Sequence, residues 1–267
     1  MKRVPLLSLL VRRHPVASKK ELHARILCGE VRVNDETIRD PSRLVDETAM
    51  IEMRSRRKYV SRGGDKLAAA LAALAIDCRD KIFLDCGAST GGFTDCLLAQ
   101  GARHVYAVDV GHAQFDYSLR NEPRVSLYER TNIMSLTPQA FDRPPQAAVV
   151  DLSFRSLSGA ARHILGLVSE GWALALVKPQ FEWERPPEDF DGVVRDDAAR
   201  KRILYTCAEK LIEERVFLRA TFASPLEGAK GNREYFFLLS NREESSLAAA
   251  IDLIDALFQT GIDNRYT

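Results

Sequence analysis

The sequence predicts an α/β protein built on a largely parallel sheet and preceded by a small α+β unit. Three observations carry this expectation. From Lys81 onward, apolar strand-like runs ("IFLD", "HVYAVDV", "VSLYE", "AAVVDLSF", "WALALVKP") alternate with helical stretches, the pattern of parallel strands joined by crossover helices. Residues 83–98, "FLDCGASTGGFTDCLL", pass from an apolar strand through a glycine-rich turn into an apolar helix. Charge is also unevenly divided. Residues 1–60 carry a net +6 and the remainder −5, within an overall +1 over 267 residues. A basic module fused to a mildly acidic one suggests a polyanion-docking part and a chemistry part.

Residues 1–53 are expected to form the small unit. "LLSLLVRR" is a compact apolar helix. In "ASKKELHARILCGEVRVN", Ser18 is an N-cap with Glu21 three residues on as a capping box, and Gly29 marks the stop. "VRVN" and "AMIEM" alternate as strands, with "NDET" between them as a turn. Arg12, Arg13, Lys19, Lys20 and Arg25 crowd the two-helix side as candidate polyanion-contacting residues. The basic stretch "RSRRKYVSRGG", residues 54–64, reads as a linker and adds Arg57 and Lys58 to that set. Residues 65–267 form the second domain, opening on the helical "DKLAAALAAL". Near its end, "VFLRATFASP" and "EYFFLLS" fit an antiparallel pair at one sheet edge.

Composition narrows the function classes. With 46% hydrophobic and 28% charged residues, the profile is that of a soluble globular protein. No apolar run approaches the roughly 20 residues needed to span a bilayer. The N-terminal "MKRVPLLSLLVRRHP" is closed by Arg12 and Arg13 without a small-residue cleavage site, so a signal peptide is rejected and a cytoplasmic location expected. The five cysteines form no C-x-x-C pair and sit in apolar runs, as suits reduced, buried thiols. His14, His23, His104, His112 and His163 lack metal-ligand spacing, and no metal is expected.

Three nucleotides compete for the glycine turn. A P-loop needs lysine after the second glycine of G-x-x-x-x-G; Gly87 and Gly92 have the spacing, but Phe93 follows. A dinucleotide turn needs glycine two residues after the first, and Ser89 stands there. S-adenosylmethionine carries an ammonium and a carboxylate but no phosphate. Asp85 before the turn can face the ammonium, directly or through water, and helix amides near Gly91 and Gly92 can receive the carboxylate. Asp109 ends the next strand, where an acid accepts hydrogen bonds from ribose hydroxyls. The pattern indicates a Rossmann-like sheet that binds S-adenosylmethionine.

The methyl acceptor is read from the strand ends. "DLSF" at 151–154 lacks the two prolines of an exocyclic-amine methylase, and no cysteine near a late strand end supports carbon methylation. Oxygen remains. A ribose hydroxyl needs a base or a positive field, and lysine can act where a cation or burial tunes it. Lys178 ends the apolar strand of "WALALVKPQF", an expensive place for an idle charge. Lys66, Asp151 and Glu234 complete a group of four at expected strand or helix ends.

Two resemblances extend this reading. "LLVRRHPVASKKELHARILCGEVRVNDETIRDPSRLVDETAMIEM" resembles the small RNA-binding fold named after ribosomal protein S-four, with Asp35 in place of the usual glycine and Lys19 in place of the more frequent arginine. "YVSRGGDKL", "LDCGASTGGFTDCLL", "YAVDVG", "ERTN", "DLSF", "LVKPQFE", "GVVRD" and "GNREY" together resemble the TlyA-type ribosomal RNA methyltransferases, also called haemolysin A-like and related to the FtsJ 2′-O-methyltransferases. This resemblance covers essentially the whole chain. It implies 2′-O-methylation of cytidine in ribosomal RNA and a Lys-Asp-Lys-Glu tetrad at Lys66, Asp151, Lys178 and Glu234. It also implies donor contacts from Asp85, Gly87, Ala88, Ser89, Gly91, Gly92, Phe93, Asp109, Val110 and Asn132. His112 and Ala113 stand where relatives tend to have an aromatic and a glycine, and Met134 where a basic residue is frequent. Two rival readings are an RNA-binding assembly factor with an inactive fold, and a membrane-lytic haemolysin.

Overall fold

The computed structural model describes residues 3–53, 58–153, 156–242 and 245–259. The chain divides into two compact units, residues 1–57 and 58–267. Residues 58–64, expected in the linker, thus belong to the second unit: Tyr59 is buried, and a helix begins at Arg62.

In the first unit, strand β1 (Arg3–Pro5) leads into helix α1 (Leu6–Arg13), followed by α2 (Lys19–Leu27). Ser18 caps α2 by accepting from the Glu21 amide at 3.1 Å. Strands β2 (Val31–Val33), β3 (Glu36–Ile38), β4 (Leu44–Asp46) and β5 (Ile51–Met53) complete the unit. β2 pairs antiparallel with both β3 and β5, and β1 pairs with β4. The two-residue turn between β2 and β3 puts Asn34 and Asp35 at positive φ, 46° and 68°. Tight hairpins favour Asn-Gly in that geometry, so Asp35 occupies a place where glycine would be less strained. Leu6, Leu10, Leu22, Ile26 and Val31 form the centre of this unit's own core.

In the second unit, α3 (Arg62–Ala73) precedes an alternation of β6 (Ile82–Cys86), α4 (Gly92–Ala99), β7 (His104–Val108), α5 (Tyr117–Arg120) and β8 (Val125–Tyr128). There follow β9 (Ala147–Val150), α6 (Ala161–Leu167), β10 (Trp172–Val177), α7 (Pro179–Glu182), α8 (Asp197–Glu213), β11 (Phe217–Ala223), β12 (Tyr235–Ser240) and α9 (Leu247–Gln259). The seven strands are ordered β11-β12-β10-β9-β6-β7-β8. β8, β7, β6, β9 and β10 run parallel, while β12 is antiparallel to β10 and to the edge strand β11. The central strands are buried on both faces, as their unbroken apolar runs require. Apolar cores lie against each face of the sheet, one holding Leu84, Ile164, Leu204 and Phe237, the other Phe83, Leu67, Leu97 and Phe236.

Strand order reverses between β6 and β9. At such a switch point the loops leaving the two strands diverge to opposite faces, opening a crevice at their carboxyl ends. The glycine turn leaves β6 there and Asp151 leaves β9. Among the described residues no helix is long and apolar enough to cross a membrane. Cys78, Cys86, Cys96 and Cys207 are buried as expected, but Cys28 is exposed, because it lies just beyond α2 rather than on its apolar face.

Candidate functional site

The sheet register brings Asp151, Lys178 and Glu234 to one end, and Lys66 joins them from α3. β9 pairs with β10 up to Val150 and Ala175, so Asp151 leaves the sheet beside the last residues of β10. Val177 faces Tyr235 at the end of the antiparallel pair, which places Lys178 and Glu234 next to each other in sequence register just outside it. They form two ion pairs. Lys66, in the second turn of α3, donates to Glu234 Oε2 at 2.6 Å, and both side chains are almost fully buried. Lys178 Nζ stands 2.5 Å from Asp151 Oδ1 with its side chain 11% exposed. That contact is charge to charge rather than an aligned hydrogen bond. Lys178 donates instead to Ser153 Oγ at 3.3 Å, and lies 5.8 Å from the Phe181 ring centroid.

The glycine turn sits against this group. Gly87 has φ +88°, and a Cβ there would stand 2.3 Å from the Asp151 carbonyl oxygen. Glycine is therefore required twice, by backbone conformation and by the close approach of the neighbouring strand end. The turn continues through Ala88, which is buried, and Ser89, exposed at φ +48°. Asp109, leaving β7, holds it in place: Oδ2 accepts from the Ser89 amide at 2.7 Å, and Oδ1 from the Gly111 amide at 2.6 Å. Each oxygen keeps a second lone pair, and the residue is only partly buried. Val110 beside it is 72% exposed, an apolar surface at the lip of the crevice. Asn132, exposed after β8, accepts from the Met134 amide at 3.0 Å and so shapes the neighbouring short turn.

Four of the expected contact residues are placed differently. Asp85 is fully buried rather than facing the crevice. Its Oδ2 accepts from Thr94 Oγ1 at 2.6 Å, and its Oδ1 has no partner. Burial pushes this carboxyl up to about 7, against the pull of the Thr94 hydrogen bond and with Asp151 and Asp109 adding repulsion. Phe93 is 4% exposed and turns into the core, its ring centroid 6.1 Å from that of Phe236. Its side chain packs instead of lining the crevice, because the first turn of α4 lies over the sheet. The start of α4 is also covered. The Gly91 amide donates to the Ala88 carbonyl at 2.7 Å, and a Cβ on Gly91 would meet Leu119 at 2.5 Å. One on Gly92 would meet Ser61 Oγ at 2.1 Å. Gly87, Ser89 and Thr90 remain as the accessible part of the turn.

Sequence reasoning missed a second group that shapes the crevice. Glu129 accepts from the Ala113 amide at 2.8 Å and from both arms of the Arg120 guanidinium, with His112 at 3.2 Å. The Arg120 guanidinium holds the Glu129 carboxyl down at about 2. Ala113 takes φ +60°, which explains why a glycine suits that position. Only the charge pattern around "YSLR" and "YER" hinted at this link. Glu182 lies inside the quoted motif "LVKPQFE" without a role being assigned to it, and Gly228 carried no local signal.

The expected RNA-contacting residues divide by environment. Lys19 and Lys20 are exposed on α2, and Lys58 is exposed with its amine 5.2 Å from the Tyr59 ring centroid. Arg12 pairs with Glu47 at 2.7 Å. Arg13 donates to the Glu47 and Ala49 carbonyls at 2.7 and 2.8 Å, and Arg25 to Glu30 at 2.9 Å. Arg13 and Arg25 thus hold the small unit together. Arg57 lies outside the described residues.

Comparison with known proteins agrees with this geometry. The FtsJ-like methyltransferase family model matches residues 59–241. The chain is 42% identical over 221 residues to "Hemolysin A" of Brachyspira hyodysenteriae, covering 82% of this chain and 92% of that one. It is 40% identical over 243 residues to the "16S/23S rRNA (cytidine-2'-O)-methyltransferase TlyA" of Mycobacterium tuberculosis, covering 90% and 91%. A solved, hemolysin-named chain from Streptococcus thermophilus superposes with a TM-score of 0.68 at 30% identity, covering 97% and 98%. A match over more than half the chain, reinforced by relatives spanning nearly all of it, establishes the lineage: this chain belongs to the FtsJ-like methyltransferase family.

Proposed function

We propose that this chain is an S-adenosylmethionine-dependent 2′-O-methyltransferase acting on cytidine ribose in ribosomal RNA. The observation that carries the proposal is the contact between Gly87 and the Asp151 carbonyl, because it sets the glycine turn directly against the Lys178–Asp151 pair. A donor site and a proton-handling site therefore share one crevice.

The residues present suit the donor. Asp109 retains acceptor capacity for ribose hydroxyls, Val110 offers an apolar face to an adenine, and Gly87, Ser89 and Thr90 leave backbone accessible. Ala88, Gly91, Gly92 and Phe93 support the turn from behind, Asp85 lies buried beneath it, and Asn132 flanks the adenine side. When bound, S-adenosylmethionine supplies an electrophilic methyl group.

Lys178 meets the 2′ oxygen, taking its proton or holding the negative charge that develops on it. Asp151 orients Lys178. Lys66, fixed by Glu234, adds positive field from the adjacent side of the crevice. In a low-dielectric site such fixed charges act more strongly than in water.

Residues 1–57 are assigned as an S-four-like RNA-docking domain, with Lys19 and Lys20 on its exposed face. The relatives named as ribosomal RNA methyltransferases support ribosomal RNA, in a ribosomal subunit, as the partner. The deciding experiment is mass mapping of ribose methyls in ribosomal RNA after incubation of each unmodified subunit with the protein and donor. A new 2′-O-methylcytidine is expected; its absence from both subunits overturns the proposal.

A further inference from the structure

The loop that leaves β9 carries Asp151, and two side chains one helical turn apart hold it. Lys178 N-caps α7 and reaches Asp151 and Ser153 at the start of the loop. Glu182 closes the same turn, its amide donating to the Lys178 carbonyl at 3.3 Å. Positions i and i+4 share one face of a helix, so both side chains address the same loop. Glu182 Oε2 accepts from Ser156 Oγ at 2.5 Å, and Oε1 from the Leu157 amide at 2.8 Å. Leu157 is itself 5% exposed and anchored in the apolar core. The amine thus binds the beginning of the loop and the carboxylate its end.

The helix between them is a single turn, closed by the Phe181 and Glu182 amides on the Lys178 carbonyl. Pro179 stands at its first position, where a fixed φ suits helix entry and no amide is missed. The Leu157 end is therefore connected to Lys178 through one hydrogen-bonded turn entered by a proline. We propose that Glu182 is a positioning residue for methyl transfer, setting the separation and orientation of Lys178 and Asp151 by tying the far end of the β9 loop to the helix that begins at Lys178. The inference rests on the methyltransferase reading above.

A pH dependence accompanies this role. Burial pushes the Glu182 carboxyl above its ordinary value, against the pull of Ser156, Leu157 and Cys207, with Lys210 as the nearby cation. Protonation removes an acceptor, so the clamp weakens as pH falls through that raised value.

The test combines kinetics with hydrogen exchange on the full-length protein. Glu182→Ala is expected to lower kcat about 100-fold, the size of loss that a misplacement near 1 Å can cause, with KM for S-adenosylmethionine within about twofold. Exchange at residues 152–153 and 156–158 is expected to accelerate, while the glycine turn keeps its protection. Glu182→Gln keeps one carbonyl acceptor, so it should recover about tenfold of the lost kcat and lose the acid limb of the kcat–pH profile. Ser156→Ala should cost less in the Glu182→Ala background than alone, because both remove one linkage. Wild-type kcat in Glu182→Ala, or unchanged exchange in the loop, overturns the proposal. So does a Glu182→Gln variant no better than Glu182→Ala with donor affinity lost in parallel, which marks a general folding role. Accelerated exchange in a chain whose wild type transfers no methyl group overturns the methyltransferase reading and, with it, the role in transfer.

Discussion

Gly228 lies directly against Glu234: a Cβ built on Gly228 would stand 1.9 Å from Glu234 Oε1 and 2.5 Å from its Cδ. The backbone of Gly228 has φ −78°, which any residue adopts, so only the carboxylate demands glycine here. A methyl group would push Glu234 off Lys66. Gly228→Ala is expected to leave Tm within a few degrees while lowering kcat tenfold or more, on the order of a misplaced charge in the site. Thermal melts and single-turnover assays on the same preparation check both halves.

Lys178→Ala removes the amine at the centre of the proposed chemistry. Transfer should fall by about 10²–10⁴-fold, the usual range for a proton-handling group, with calorimetric affinity for S-adenosylmethionine changed less than about threefold. Full turnover by this variant would refute the role given to Lys178.

Asp85 links stability to pH. Its folded-state value of about 7 lies above the ordinary 3.8, so the native protein binds the extra proton. The stability this proton confers is complete below the ordinary value and is lost as pH rises through about 7. Asp85→Asn keeps the shape and removes the titration. Its Tm should exceed that of the wild type at pH 8, with the gap narrowing as pH falls and closing only below about pH 4, as scanning calorimetry across that range would report.

Ala113 holds φ +60° without the freedom of glycine. Ala113→Gly should raise stability by about 1 kcal/mol, the scale of the left-handed penalty for a residue with a Cβ. Denaturant titration measures it. An unchanged midpoint would mean that the Glu129 hydrogen bond to the Ala113 amide already fixes this turn.

Lys19 and Lys20 separate binding from folding in the first unit. The double alanine variant should leave the melting curve intact and reduce the log–log salt slope of RNA affinity by about 1 to 2, one lost phosphate contact per lysine. Arg25→Ala, by contrast, should lower stability, because it breaks the 2.9 Å bond to Glu30.

The parallel strands, β2, β5 and the β11–β12 pair were legible because each is an apolar or alternating run bounded by turn residues, whereas the three-residue strands β1, β3 and β4 were not, and Glu36 and Thr37, expected in a turn, belong to β3. Lys178 stood out because a charge ending a buried apolar strand is expensive, whereas Lys66 lies within helix α3 and is joined to the others only by its ion pair with Glu234. Resemblance supplied their grouping, and the register of β9, β10 and β12 explains it. Asp85 and Phe93 were misread for one reason. Sequence places a residue before or after the turn but does not say which way α4 lies: Thr94 in its first turn closes over Asp85, and Phe93 in the same turn points into the core against Phe236. Glu182 and Glu129 stand inside the quoted motifs "LVKPQFE" and "ERTN", but their roles, and that of Gly228, stayed hidden because their partners are 25, 9–17 and 6 residues away with no periodicity connecting them.

The contact of Gly92 with Ser61 and Gly64 has a consequence for engineering. Two helix entrances are locked face to face there, with no room for even one added carbon. The amine of Lys66 and the nucleotide turn therefore share a single frame and cannot be adjusted independently. Grafting, permuting or inserting a peptide between Ser61 and Gly64 would dislodge both at once, whereas the exposed stretch 184–189 offers a place where foreign sequence can be spliced without touching either.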